Sequence, residues 1–382
     1  LRRFAGGALD APAALNDGQP CDLNSAIAAA ARLLAASRQP LFAGLGTDVA
    51  GARALYRLAC ATGAICDSAG GDSFMQGLRA LQDRGQFTTT LAEVRTRADV
   101  IVFIGGLPGP GAPLALQRCG IAESRTVRRH VVLLGADPGD AARLSENAAP
   151  GVTMDSIALH VDLFASTALL AALVAQQAVR DAPEPLRALA QRLRDAHYAV
   201  LVGTPARLPP HGALIIEAVH RVVNQLNLST RAAALWVGGG SGAATANQVF
   251  TWLSGLPLRS RAGPRGLEHE PMLFGAERLL DDKAADALLW VSSFDADPAS
   301  GAPPDTALPM VVLGPRALAA ACRRRGAVFM PVATPGIGSK GHVFRTDGTV
   351  LMPLHALYDD QLPTVAELAQ RILQALQAER GR

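Results

Sequence analysis

Residues 97–105 read Arg-Ala-Asp-Val-Ile-Val-Phe-Ile-Gly, and residues 283–291 read Lys-Ala-Ala-Asp-Ala-Leu-Leu-Trp-Val. In both, a basic residue and an Ala-Asp pair precede a short apolar run. Such a run is the mark of a strand buried on both faces of a parallel sheet. Working outward, Arg38-Gln-Pro-Leu-Phe-Ala-Gly precedes the first, and His130-Val-Val-Leu-Leu-Gly follows it. His197-Tyr-Ala-Val-Leu-Val-Gly precedes the second, and Pro309-Met-Val-Val-Leu-Gly follows it. The strands expected are Pro40–Gly44, Val100–Ile104, Val131–Leu134, Ala199–Val202, Ala233–Val237, Ala287–Val291, Met310–Leu313 and Val328–Val332. Alanine- and leucine-rich helical segments alternate with them, which specifies an α/β chain. The echo between halves predicts two Rossmann-like lobes with mostly parallel sheets and a cleft between them. The offsets differ from strand to strand, so the echo is one of fold rather than a strict repeat. Asp181–Pro185 reads as the boundary, giving lobes 1–180 and 181–382. The second lobe ends in a Gly-rich stretch and hairpin over Gly336–Pro353, then a helix from about Thr364 to Ala378. Two further helices are expected: one capped by Asp22 or Asn24 and running to about Ser37, the other over Val49–Thr62 and ending at Gly63.

Composition narrows the function classes. The chain has 382 residues, 49% hydrophobic and 18% charged, with a net charge of +3. That length suits two or three domains, and the apolar content excludes global disorder. No apolar run approaches the roughly 20 residues of a membrane span, and the charge leaves no footprint for nucleic acid, so neither partner is expected. Lys283 and Lys340 are the only lysines, which leaves few amine nucleophiles. Cys21, Cys60, Cys66, Cys119 and Cys322 form no Cys-x-x-Cys pair, so zinc or iron–sulfur ligation within the chain is not expected. Their odd, unpatterned number fits a reducing compartment, and with no signal-peptide pattern visible the cytoplasm is expected.

Three loops lie where an α/β fold places ligands, at the carboxyl ends of strands. Gly44-Leu-Gly-Thr-Asp opens a helix but lacks the third glycine of a dinucleotide fingerprint. It reads either as an anion site or as a tight turn. Gly238-Gly-Gly-Ser-Gly could form a nest of N–H groups, or simply pack closely; it has no Walker ending. Asp67-Ser-Ala-Gly-Gly-Asp-Ser could present Ser73, or cap a helix at Asp72 or Ser73. The histidines form no metal motif, Glu268-His269-Glu270 suits a surface loop, and no Gly-x-Ser-x-Gly elbow occurs. Leu114, Leu116, Ile215 and Ile216 read as interface or core. The residues alone describe an enzyme-like fold without an assembled site.

Several stretches together resemble a known family. Asp22-Leu-Asn-Ser-Ala-Ile and Gln39-Pro-Leu-Phe-Ala-Gly-Leu-Gly-Thr-Asp look like the opening of a molybdopterin/tungstopterin oxidoreductase subunit. Leu81-Gln-Asp-Arg-Gly, Leu91-Ala-Glu-Val-Arg-Thr-Arg-Ala-Asp-Val-Ile, Asn247-Gln-Val-Phe-Thr-Trp-Leu-Ser-Gly-Leu-Pro and Phe344-Arg-Thr-Asp-Gly-Thr-Val-Leu-Met-Pro-Leu resemble the B subunit of formylmethanofuran dehydrogenase. The resemblance spans about Asp22 to Leu354. Catalytic members carry an N-terminal iron–sulfur motif and a cysteine or selenocysteine ligand in a Cys-His-Gly-Pro-Ser-like stretch. Here the register places that ligand near Ser73, in Asp72-Ser-Phe-Met-Gln, and Cys66 is seven residues away.

A B-type subunit without the ligand is similar to that of the bacterial formyltransferase/hydrolase complex, which acts in tetrahydromethanopterin-linked one-carbon oxidation. The resemblance implies a non-catalytic scaffold that meets the A, C and D subunits and holds the A and C subunits together. Formyl transfer to a methanofuran-like carrier is then expected in the D subunit, and zinc-dependent hydrolysis to formate in the A subunit. No pterin, iron–sulfur cluster or metal is expected in this chain. Ser73, Gly238, Gly239, Gly240, Gly336 and Gly338 would mark a vestigial pterin cleft, narrowed or filled by side chains. The alternatives are a working tungsten or molybdenum protein using a ligand such as Ser73, and a nucleotide-binding Rossmann pair like the central domain of thiamine-diphosphate enzymes.

Overall fold

The computed structural model describes residues 14–109, 112, 114–123, 128–159, 161–238 and 241–381. It divides into two compact units: residues up to Gly71 together with those from Gly240 onward, and Asp72–Gly239.

The first unit contains a nine-stranded sheet. Its centre is parallel, in the order Ile65–Cys66, Pro40–Gly46, Ala287–Ser292, Met310–Gly314 and Ala327–Pro331. An antiparallel hairpin closes each edge: Ser260–Gly263 with Gly266–His269 beside Ile65–Cys66, and Ala14–Asn16 with Gln19–Cys21 beside Ala327–Pro331. Alternate side chains face opposite ways along a strand. Phe42, Leu289, Val311 and Val328 therefore enter a core with helices Leu23–Ala36, Val49–Thr62, Ala243–Ser254 and Val365–Arg380. Leu41, Leu288, Val312 and Phe329 enter a second core on the other face. The hairpin Gly341–Phe344/Leu351–Leu354 is a separate two-stranded sheet.

The second unit contains a five-stranded, wholly parallel sheet in the order Val152–Ile157, Arg129–Leu134, Val100–Ile104, Tyr198–Gly203, Arg231–Trp236. Val102, Ile104 and Leu201 face one core, with helices Leu163–Val174, Glu184–Asp195 and Gly212–Leu226; Ile101, Phe103 and Val200 face the other. Ile215 and Ile216 belong to the first of these cores, whereas Leu114 is exposed.

The mixed α/β architecture is as the strand pattern predicts, but each unit draws on both halves of the chain. Pro40–Gly46 pairs with Ala287–Ser292, and Tyr198–Gly203 pairs with Val100–Ile104. The boundary expected at 180/181 falls inside the second unit, between helices Leu163–Val174 and Glu184–Asp195. Strand pairing, which local sequence does not display, decides the partition. The two Ala-Asp pairs do the same local work. Asp286 accepts the N–H groups of Arg38 and Gln39 at 2.7 and 3.1 Å, and Asp99 those of His197 and Tyr198 at 2.9 and 2.8 Å. Each carboxylate ties down the start of the neighbouring parallel strand.

Candidate functional site

Open α/β sheets bind ligands where the strand order reverses, at carboxyl ends. In the first unit that point lies between Pro40–Gly46 and Ala287–Ser292. Here Gly44-Leu-Gly-Thr-Asp turns into helix Val49–Thr62, whose N-terminal donors would suit an anion. The N-cap Asp48 occupies them itself: its buried carboxylate accepts the Gly51 N–H at 2.9 Å. A fixed negative charge on the helix N-terminus opposes an external anion. Ser293, fully buried, directs its hydroxyl and N–H to the Gly46 carbonyl at 2.8 and 2.7 Å. The segment Ser241–Gly242 closes over the same end. Gly242 has φ +88°, and a Cβ there would stand 2.6 Å from the Thr47 carbonyl oxygen. Gly341 lies on Asp48 just as tightly, at 2.9 Å for an added Cβ. The Gly-x-Gly opening is thus a tight turn covered by two loops of its own unit.

In the second unit the reversal lies between Val100–Ile104 and Tyr198–Gly203. Asp140 fills it, buried, accepting the Leu107 N–H at 3.0 Å. Arg207 pairs with Asp140 at 2.9 Å and with Asp137 at 3.2 Å, and donates to the Leu107 carbonyl at 2.7 Å. The Asp140 N–H, then Arg207, hold the Asp137 carboxyl below its ordinary value. A Cβ on Gly106, at φ +113°, would overlap Asp140 and stand 2.7 Å from Arg207 Nη2. The Trp236 ring lies directly against Gly203. An ion pair and an indole occupy the space in which a ligand would sit.

The expected cleft residues fall in both units. Ser73 is half-buried in the first turn of helix Gly71–Arg84 and already engaged by a neighbour. Gly238 follows strand Arg231–Trp236 in the same unit, and Gly239 and Gly240 lie outside the described residues. Gly336 and Gly338 are in the first unit, in a turn that satisfies itself: Gly336 N–H donates to Ser339 at 2.8 Å and Gly338 N–H to Thr334 at 2.9 Å. A Cβ on Gly338 would overlap the Asp360 carboxylate, so that glycine serves close packing.

Sequence reading named the stretches that hold Asp48 and Asp67 without giving either carboxylate a role, and it missed Asp140. Asp67 is buried and pairs with buried Arg259 at 3.3 Å. It also accepts N–H groups from Ser68 and Ala276 at 2.9 and 2.8 Å. Burial raises its carboxyl above the ordinary range, against the pull of Arg259 and these donors. Asp140 lies in the first turn of helix Pro138–Asn147 with no flanking motif, and Asp48 and Asp67 sit in stretches read for their glycines and serines. Glu268-His269-Glu270 is edge strand rather than surface loop at its start. Glu268 pairs with Arg261 at 2.7 Å, and His269 Nδ1 meets the Arg259 carbonyl oxygen at 3.0 Å.

Among the described residues no three His, Cys, Asp or Glu side chains converge to hold a metal. Burial pushes the Cys119 and Cys322 thiols up to about 12 and Cys66 well above its ordinary value, whereas a metal ligand must be thiolate.

No protein-family model matches the chain. It is 34% identical over 282 residues to the B subunit of the formyltransferase/hydrolase complex Fhc of Methylorubrum extorquens, covering 73% of this chain and 74% of that protein. It is 26% identical over 357 residues to the B subunit of the tungsten-containing formylmethanofuran dehydrogenase 2 of Methanocaldococcus jannaschii, covering 87% and 78%. Its fold matches a chain in the crystal structure of the M. extorquens formyltransferase/hydrolase complex (FhcABCD) with methylofuran. That match has a TM-score of 0.80 and 28% identity, over 97% of this chain and 100% of that one.

Proposed function

The chain belongs to the family of the B subunit of the formyltransferase/hydrolase complex, and on that premise we propose that it is the non-catalytic scaffold of such an assembly. The observation that carries this reading is the filling of both switch points by the chain's own carboxylates, guanidinium and indole. A protein that holds partners in place needs a rigid, self-satisfied core. One that binds a pterin needs space and free donors at those strand ends. On this reading the chain has no pterin, iron–sulfur cluster or metal of its own. A-, C- and D-type subunits surround it and carry formyl transfer and hydrolysis to formate, with zinc in the A-type subunit. No helix among the described residues is long and apolar enough to cross a membrane, and we place the assembly in the cytoplasm.

Affinity purification of the tagged chain from its own cells tests this. Recovery of an amidohydrolase-like and a formyltransferase-like polypeptide in fixed ratio is the expected outcome. Recovery of the chain alone, or with an iron–sulfur electron-transfer protein, would contradict it.

A further inference from the structure

The outer edges of the two large sheets are not alike. In the first unit, edge strand Gln19–Cys21 is three residues long and carries Pro20, and edge strand Gly266–His269 carries charged Glu268. Shortness, proline and charge each discourage a further strand. In the second unit, the segment Phe87–Thr89 covers the edge at Arg231–Trp236. Ala234 N–H donates to the Phe87 carbonyl at 3.0 Å, and Thr89 N–H to the Ala234 carbonyl at 3.0 Å. The edge at Val152–Ile157 has none of these devices. Among the described residues no strand lies beyond it. Thr153, Met154, Asp155 and Ser156 are all exposed, where strands of a parallel sheet are ordinarily buried. The strand holds no proline or lysine, and its register with Arg129–Leu134 is unbroken. Its one charge is spent on its own unit: Asp155 Oδ2 meets His130 Nε2 at 2.8 Å and Arg192 at 3.7 Å. The Ile157 carbonyl accepts the Gly135 N–H at 3.0 Å, so the backbone groups of Ile157 face their own sheet. Alternation then turns those of Thr153 and Asp155 inward and those of Met154 and Ser156 outward.

We propose that this edge pairs with the same edge of a second copy of the chain, antiparallel about a two-fold axis, so that two five-stranded sheets become one. The edge is complementary to itself in a single register. Outward residues pair with outward residues, so Met154 stands opposite Met154 of the second copy and the two exchange both backbone bonds. Ser156 N–H then meets the Val152 carbonyl of the second copy, and the reverse. Asp155 stands opposite Thr153, a neutral side chain. Sliding one step toward the carboxyl end would set Asp155 against Asp155, and like charges directly opposite are destabilising. Sliding the other way would set Ser156 against Pro150, which lies beyond the strand. Charge and strand length thus select the Met154 register. It also brings the two exposed Met154 side chains together on one face. The pairing does not depend on which other subunits surround the chain.

Sedimentation of the purified full-length chain should give the mass of two copies. Cysteine cross-linking then locates the contact, in a Cys60→Ser background that removes the exposed native thiol. Met154→Cys should form a disulfide-linked pair of chains under mild oxidation, released by dithiothreitol. Cα atoms of a hydrogen-bonded antiparallel pair stand about 5.5 Å apart, within disulfide reach. Ser156→Cys, also exposed on that strand, should form no such pair, because the register holds the two copies of residue 156 roughly 14 Å apart. A wild-type chain that sediments as one copy, a Met154→Cys chain that does not cross-link, or equal cross-linking at both positions would overturn the proposal.

Discussion

His220 shows how a single side chain can carry a pH dependence unrelated to catalysis. It is 2% exposed, and burial lowers its pKa to about 4. Its ring nitrogens face only donors: the Phe87 N–H at 3.3 Å from Nδ1 and the Trp236 indole N–H at 3.1 Å from Nε2. A neutral imidazole accepts at one nitrogen, so it takes one of the two, and the imidazolium would have no acceptor for its second proton. The unfolded chain binds a proton near pH 6.5, and the folded chain does not until about 4. Stability from this group is therefore whole above pH 6.5 and is lost as pH falls through that window, by about 3 kcal/mol in all. Urea titrations at pH 7 and 4.5 should show the loss in the wild type and a reduced loss in His220→Gln. Equal losses in both would refute the assignment.

At the scale of elements, local chemistry was legible wherever it was self-contained. Helix Leu23–Ala36 starts at Asp22, whose side chain accepts the Ser25 N–H at 3.0 Å, and helix Val49–Thr62 ends at Gly63. Helix Val365–Arg380 carries a capping box between Thr364 and Glu367. These features lie within one turn and leave a local signature. The missed strands lack an apolar run. Val152–Ile157 is an edge strand exposed over most of its length, and hairpin Ser260–His269 is polar. Two of the stretches that carry the family resemblance fold together. Trp252 and Phe344 pack edge-to-face at 5.4 Å, and the Phe344 N–H donates to Thr245 at 3.0 Å. The candidate site was legible as strand ends but not as filled ones, because Asp140 and Arg207 come from segments separated in sequence from Gly106.

Gly106→Ala tests that filling. Its Cβ would meet both partners of the ion pair at a φ unsuited to alanine, so a loss of about 3 kcal/mol is expected. Gly77, inside helix Gly71–Arg84 with nothing within 4 Å of an added Cβ, is the control. Gly77→Ala should be neutral or stabilise by about 0.5–1 kcal/mol. Thermal melts of the two variants that coincide would contradict a packed crevice.

For the whole molecule, the echo between halves was real but crossed. The strand beginning at Pro40 completes a sheet from the second half, and the strand beginning at Tyr198 completes one from the first. In unit order the parallel cores correspond: Pro40–Gly46 stands to Ala287–Ser292 as Tyr198–Gly203 stands to Val100–Ile104, with Asp286 and Asp99 at matching places. At the strand ends where the order of each parallel sheet reverses, the chain's own side chains pack closely, which supports the proposed scaffold role. On the proposed reading this chain has lost its metal centre. Elemental analysis of the purified assembly, counting tungsten and molybdenum against this chain, tests it most directly. Neither metal is expected in stoichiometric amount; one atom of either per chain would contradict the loss.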